Sequence, residues 1–208
     1  ARALAKSLGA QGIDERLDVD ARMKRVRALL DRHESRDANA EARRLVRAVG
    51  ADHSYACELS YVVGKSERKL RRYKPAIVAL TDARKRCDAA KNHDFARRSA
   101  LLETQVRGIR GQTIGTRKVV KWLESKHPKH SYVDDAWMIV AEVLDRRGKP
   151  AEAKAGYDRI RAMGGDQTSM AAWRLAFDSI RANDAETALP LLAQIVKADP
   201  PREVETAR

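Results

Sequence analysis

Small side chains recur along this chain at a spacing that stacked helical hairpins explain: Ala42, Ala76, Thr116, Ala153 and Ala188, separated by 34, 40, 37 and 35 residues. The clearest copy is "WMIVAEVLDRRGKPAEAKAGYDRI", residues 137–160. Trp137, Ala141 and Leu144 share one helical face, and Gly148 breaks the helix. Pro150 suits the first turn of the next helix, where no backbone donor is needed. Ala153, Tyr157 and Ile160 then line that helix's inner face. The small residues let two antiparallel helices approach, and the large ones fill the gaps between them. One such hairpin cannot bury its own apolar face, whereas stacked copies can.

With Trp137 counted as position 4, the marked residues fall at 4, 8, 11, 15, 20, 24 and 27, which is the tetratricopeptide pattern. The next copy runs through Ala172, Leu175 and Ala176, turns at Asn183, and continues through Ala188, Leu192 and Ile195 to Pro200. Upstream, Gly64, Tyr73, Ala76, Leu80 and Ala83 keep the register; Thr116, Val120 and Leu123 do so more loosely, as do Leu30, Ala42 and Val46. The expected fold is all-α, a right-handed superhelix of tetratricopeptide-like antiparallel helix pairs. Its expected units are 23–54, 57–92, 97–130, 134–166 and 169–202, in one continuous helical-repeat domain over 1–208. The chain starts at "ARALAKSLGA" and stops at "REVETAR" within a helical pattern, so it reads as a fragment of a longer protein. No segment alternates with period 2, and no sheet is expected. Ser131 with Asp134 reads as a capping box, and Asp52, Asp166 and Asp184 read as helix N-caps. Pro75 and Pro150 fall early in their helices, while Pro190 sits about a turn and a half inside one, where it should cost a hydrogen bond.

Charge is unevenly placed. The formal net charge is +13, yet residues 131–208 hold 11 Lys/Arg against 13 Asp/Glu, so the basic surplus belongs to the first two thirds. It is densest in "KSERKLRRYK", where Lys65, Arg68, Lys69, Arg71, Arg72 and Lys74 crowd one helix end and its turn. Such a surface attracts anionic polymers, lipids or proteins. A solvated helix face is the plainer reading of any single run. No apolar run approaches the ~20 residues that span a bilayer, so no membrane span is expected.

Catalytic chemistry is not visible. "GIRGQTIG" (108–115) lacks the Lys-Ser/Thr ending of a phosphate loop. The two histidines of "HPKH" (127–130) have no further ligand pair near them, and the carboxylates mostly stand beside Arg or Lys. No catalytic residue, cofactor or metal is expected. The tetratricopeptide clamp for peptide C-termini wants Asn at position 9, occupied here by Lys65, Glu142 and Phe177. Cys57 and Cys87 stand at positions 1 and 31 of one unit, at the same end of an antiparallel hairpin. A disulfide and a pair of partly buried thiols both fit that placement. Trp122, Trp137 and Trp173 are read as packing residues rather than sugar platforms.

Three segments, "CELSYVVGKSERKLRRYKPAIVALTDARKRC", "HSYVDDAWMIVAEVLDRRGKPAEAKAGYDRI" and "AAWRLAFDSIRANDAETALPLLAQIV", give the chain a resemblance over residues 20–208 to the superhelical, non-catalytic region of soluble lytic murein transglycosylases. The resemblance implies a bacterial periplasmic parent that cleaves peptidoglycan strands to 1,6-anhydromuramic ends, with a Glu of a lysozyme-like domain as acid and base. That domain's Glu-Ser and Gly-Leu-Met-Gln motifs are absent from this sequence, so the chain itself is expected to be inert. Its implied part is to position its own catalytic domain and to meet peptidoglycan or another cell-envelope protein. The alternative is a tetratricopeptide adaptor for a protein partner, which needs a groove with exposed aromatics. A nucleic-acid-binding array is less favoured, because the basic stretch has little aromatic interleaving for base stacking.

Overall fold

The computed structural model describes residues 18–50 and 53–198. They form ten helices: α1 (Val19–Asp31), α2 (Ser35–Val49), α3 (Ala56–Lys69), α4 (Tyr73–Ala89), α5 (His93–Ile109), α6 (Thr113–Lys126), α7 (Tyr132–Arg146), α8 (Pro150–Met163), α9 (Thr168–Arg181) and α10 (Ala185–Ala198). No strand occurs among the described residues. The architecture is all-α, built of tetratricopeptide-like helical hairpins.

One backbone device makes the hairpins. The links α1–α2, α3–α4, α4–α5, α5–α6, α7–α8 and α9–α10 are each three residues long. Their central residues, His33, Arg71, Lys91, Gly111, Gly148 and Asn183, have φ between 55° and 67°. In each, the amide just after that residue donates to a carbonyl five residues earlier, as in Arg72 N to Glu67 O (2.9 Å) and Lys149 N to Leu144 O (3.0 Å). This closure satisfies helix-end carbonyls that would otherwise be orphaned. Only two of the six centres are glycine, so the turn signal is weak in sequence although the turn is uniform in structure.

The contacts gather into two units, divided at Val106 and Arg107 within α5. In the first, Met23, Val26 and Leu29 of α1 meet Ala38, Ala42 and Leu45 of α2; Leu59, Val62 and Val63 of α3 meet Ala76, Leu80 and Ala83 of α4. In the second, Val133, Ala141 and Leu144 of α7, Ala153, Tyr157 and Ile160 of α8, Leu175 and Ala176 of α9, and Ala188 and Leu191 of α10 are buried. All five register residues, Ala42, Ala76, Thr116, Ala153 and Ala188, are buried. Burial pushes the Tyr157 hydroxyl up to about 12.

Gly64 shows how tight the helix contact is. A Cβ there would lie 2.6 Å from Leu80 Cγ and 3.1 Å from the Leu80 amide nitrogen. Overpacking costs about 1–3 kcal/mol, against a helix-propensity gain of about 1 kcal/mol for Ala over Gly. Gly64→Ala is expected to lower stability by about 1 kcal/mol in urea unfolding. An unchanged or raised midpoint would show that Leu80 turns aside freely.

Several capping expectations need correction. Ser131 is already αR and makes no capping bond. Asp134 is instead buried and accepts from the amides of Gln167 (3.1 Å) and Asp135 (3.0 Å). Its carboxylate thus serves the start of α9, one hairpin away, and a Cβ on Gly165 would collide with it. Asp166 is displaced from the cap position by Gln167, which makes no side-chain cap bond. Asp184 does cap α10, accepting from Thr187 N at 3.0 Å, and the Thr187 hydroxyl, followed by that amide, holds its carboxyl below the ordinary range. Asp52 and Pro200 lie outside the described residues. Pro190 sits inside α10, as expected.

Candidate functional site

Two surfaces carry groups that packing does not use. The first lies in the first unit and separates the six basic residues of 65–74. Lys65 and Arg68 are half-buried on α3, and Lys69 is exposed beside them. Arg71 is the left-handed residue of the α3–α4 turn. Arg72 reaches to 4.0 Å of the buried Glu67 carboxylate, which also takes Asn39 (3.0 Å) and Arg43 (2.9 Å). Arg72 is therefore partly spent on structure. Lys74 is exposed on the first turn of α4. The cation that joins Lys65 is instead Arg98 of α5, which sequence proximity could not indicate. Tyr61 and Phe95 bring the two helices together, ring centroids 5.1 Å apart, and Lys65 and Arg98 stand one turn further on. Each rests over its own helix's ring, Lys65 Nζ 5.9 Å from Tyr61 and the Arg98 guanidinium 5.8 Å from Phe95.

The second surface lies on α9. Met170, Trp173, Phe177 and Ile180 step along one face by three, four and three residues, and are 49%, 43%, 44% and 51% exposed. The Trp173 and Phe177 rings stack with centroids 5.3 Å apart and planes 12° off parallel. Arg174 lies 5.6 Å from the Trp173 ring and pairs with Glu142 of α7 at 3.1 Å; Arg181 lies 5.9 Å from the Phe177 ring. The expectation that all three tryptophans pack is thus corrected for Trp173. The opposite face of α9 supplies Ala171, Ala172, Leu175 and Ala176 to the core, while Trp173 stays 43% exposed. Trp137 is buried with the Arg159 guanidinium 4.5 Å from its ring centroid, and Trp122 is half-buried against His127. The spacing 170, 173, 177, 180 is readable in sequence, but it continues the apolar positions of the core face, which hides it.

A cleft of about 620 Å3 runs between α8, α9 and α10, lined among others by Lys154, Asp158, Arg161 and Asp178. Within it Arg161 meets the Asp158 carboxylate at 3.4 Å and donates to the Gln194 side-chain oxygen at 2.9 Å. Cys57 and Cys87 are bonded, with Cα atoms 5.0 Å apart, and tie the start of α3 to the end of α4. Among the described residues no group of three or more His, Cys, Asp or Glu could hold a metal, and no helix is long and apolar enough to cross a membrane.

No protein-family profile and no curated protein matches the chain. Solved structures do. MamA from Desulfovibrio magneticus RS-1 is similar with a TM-score of 0.64 at 14% identity, over 88% of this chain and 97% of that one. YrrB, described as a TPR protein with an unusual peptide-binding site, gives 0.60 at 13% identity over 96% of each chain. A protein of nearly identical TPR-like repeats from Podosopora anserina gives 0.62 at 12% identity, over 88% and 97%. At these identities the likeness is one of fold, and it defines the chain as a tetratricopeptide-like helical-repeat protein.

Proposed function

We propose that this chain is a protein-interaction scaffold that binds a peptide segment of a partner along α9. The exposed stripe Met170–Trp173–Phe177–Ile180 carries the reading. A folded chain gains nothing for its own stability by leaving two stacked aromatic rings in water, whereas aromatic residues are the usual anchors of an interface. The stripe offers roughly 350 Å2 of apolar side chain, within the range of functional patches but under half of the ~800 Å2 per partner in a stable protein–protein interface. That size suits a short segment with apolar anchors. YrrB, a fold relative, is described as binding peptides, which agrees with the reading.

Selection of linear peptides from a display library tests it. Trp173→Ala with Phe177→Ala is expected to weaken the selected peptides by about tenfold or more, since anchor truncations cost upwards of ~1–2 kcal/mol. Because the two residues are 43% and 44% exposed, thermal unfolding of the double variant is measured alongside, so that lost binding is separated from lost stability. Undiminished peptide binding by the double variant would overturn the assignment.

A second, narrower reading places this scaffold in the periplasm, as the non-catalytic region of a peptidoglycan-cleaving lytic transglycosylase. It is supported by the resemblance of residues 57–87, 130–160 and 171–196. The Cys57–Cys87 bond suits an oxidising compartment, and the basic surface of 65–74 suits acidic peptide stems. Under this reading the chain positions its own catalytic domain and takes no part in the chemistry. Pelleting with purified sacculi tests it: reversing Lys65, Lys69 and Lys74 to Glu should release the protein into the supernatant. Pelleting unaffected by those reversals would remove the basic surface from the reading.

A further inference from the structure

The Tyr61–Phe95 contact assembles four cations that sequence places 33 residues apart at their extremes: Lys65, Arg68 and Lys69 on α3, and Arg98 on α5. Lys65, Arg68 and Lys69 form no ion pair among the described residues. Among the described residues Arg98 pairs with Asp94 of its own helix, at 3.1 Å, and both members of that pair are about half exposed. Such a pair is worth a few tenths of a kcal/mol and exchanges readily. Burial, and then the charges of Lys69, Arg98 and Arg68, push the Lys65 ammonium below its ordinary range; Asp31 opposes this without forming an ion pair. Arg68 Nε is buried with no acceptor. Like charges gathered beside an aromatic contact, with a buried guanidinium donor among them, make a surface suited to an anion.

We propose that Lys65, Arg68, Lys69 and Arg98 form a carboxylate-binding site for an acidic peptide segment. Carboxylates fit because a planar acceptor can bridge the Arg98 guanidinium and the Lys65 ammonium. Several must be carried together, since four cations face two nearby carboxylates, Asp31 and Asp94. A nucleic-acid strand fits poorly: Tyr61 is buried and Phe95 lies half-buried beneath Arg98, so no ring is open for base stacking. The site deepens the scaffold reading but uses none of the α9 residues, so either can fail alone.

Fluorescence anisotropy with a short Glu-rich peptide, blocked at both ends, tests the site on the full chain. Binding is expected to weaken steeply with salt and to vanish when Gln replaces Glu. Lys65→Gln with Arg68→Gln and Arg98→Gln should weaken it by about tenfold or more. Because Lys65 and Arg68 are half-buried, the exposed Arg98→Ala alone serves as a second variant, and should cost several-fold without moving the unfolding temperature. Trp173→Ala with Phe177→Ala should leave this binding unchanged. Equal affinity of the triple variant and the unchanged protein would overturn the site. So would tighter binding of a single-stranded RNA of equal charge, which would make the surface a nucleic-acid contact.

Discussion

Replacing both cysteines, Cys57→Ser with Cys87→Ser, is expected to destabilise the first unit by about 3–4 kcal/mol. The bond closes a segment with a sequence separation of 30, and loop-closure entropy for that length gives a figure of this size. The sites are also buried, so each serine hydroxyl must find a partner or add to the cost. For a unit of about 100 residues the loss corresponds to a fall in unfolding temperature of ~15 °C. The second unit contains no cysteine. Reduction of the unchanged protein should reproduce the double variant's behaviour. Thiol titration of the unfolded, unreduced protein should find no reactive thiol. Two reactive thiols, or a midpoint indifferent to reductant, would show that the cysteines work as packing residues.

The period of the small residues was legible because it is imposed by backbone approach. Ala76, Thr116 and Ala153 are all buried at that register position, and only small side chains stand there in the five copies. The hairpin turns were only partly legible: Gly148 and Asn183 announce a left-handed residue, whereas His33, Arg71 and Lys91 adopt the same conformation against their preference. The capping of α9 was hidden for another reason. Asp134 reads as local punctuation, but its carboxylate is spent on Gln167, 33 residues later. The basic residues of α3 were found by composition alone. Their division into structural and free cations depends on Glu67, and their partner Arg98 depends on an aromatic contact between helices. Trp173 reads as a packing residue because exposed and buried apolar residues share a helical period, and only packing tells the two faces apart.

Buried carboxylates are the feature that periodicity could least suggest, and Glu103 gives the second large effect. It lies fully buried on α5, where it accepts from Thr81 Oγ1 (2.7 Å) and Arg84 Nε (3.0 Å), both on α4. Arg84 is itself largely covered, its side chain 13% exposed. Removing one member of a buried pair strands the other charge, which costs about 3–5 kcal/mol, far more than the pair contributes over an apolar substitute. Arg84→Met is therefore expected to destabilise the first unit by about 3 kcal/mol or more in urea unfolding. Lys149→Ala, which breaks an exposed pair with Glu152, should change stability by less than ~1 kcal/mol. The decisive measurement is the double change, Arg84→Met with Glu103→Leu. If the single loss reflects a stranded carboxylate, the double variant should recover much of it, giving a large coupling in the cycle. Additive losses would instead mean that each side chain acts through its own packing. The helices would then be aligned by shape alone, and the polar contact between α4 and α5 would have no part in choosing their register.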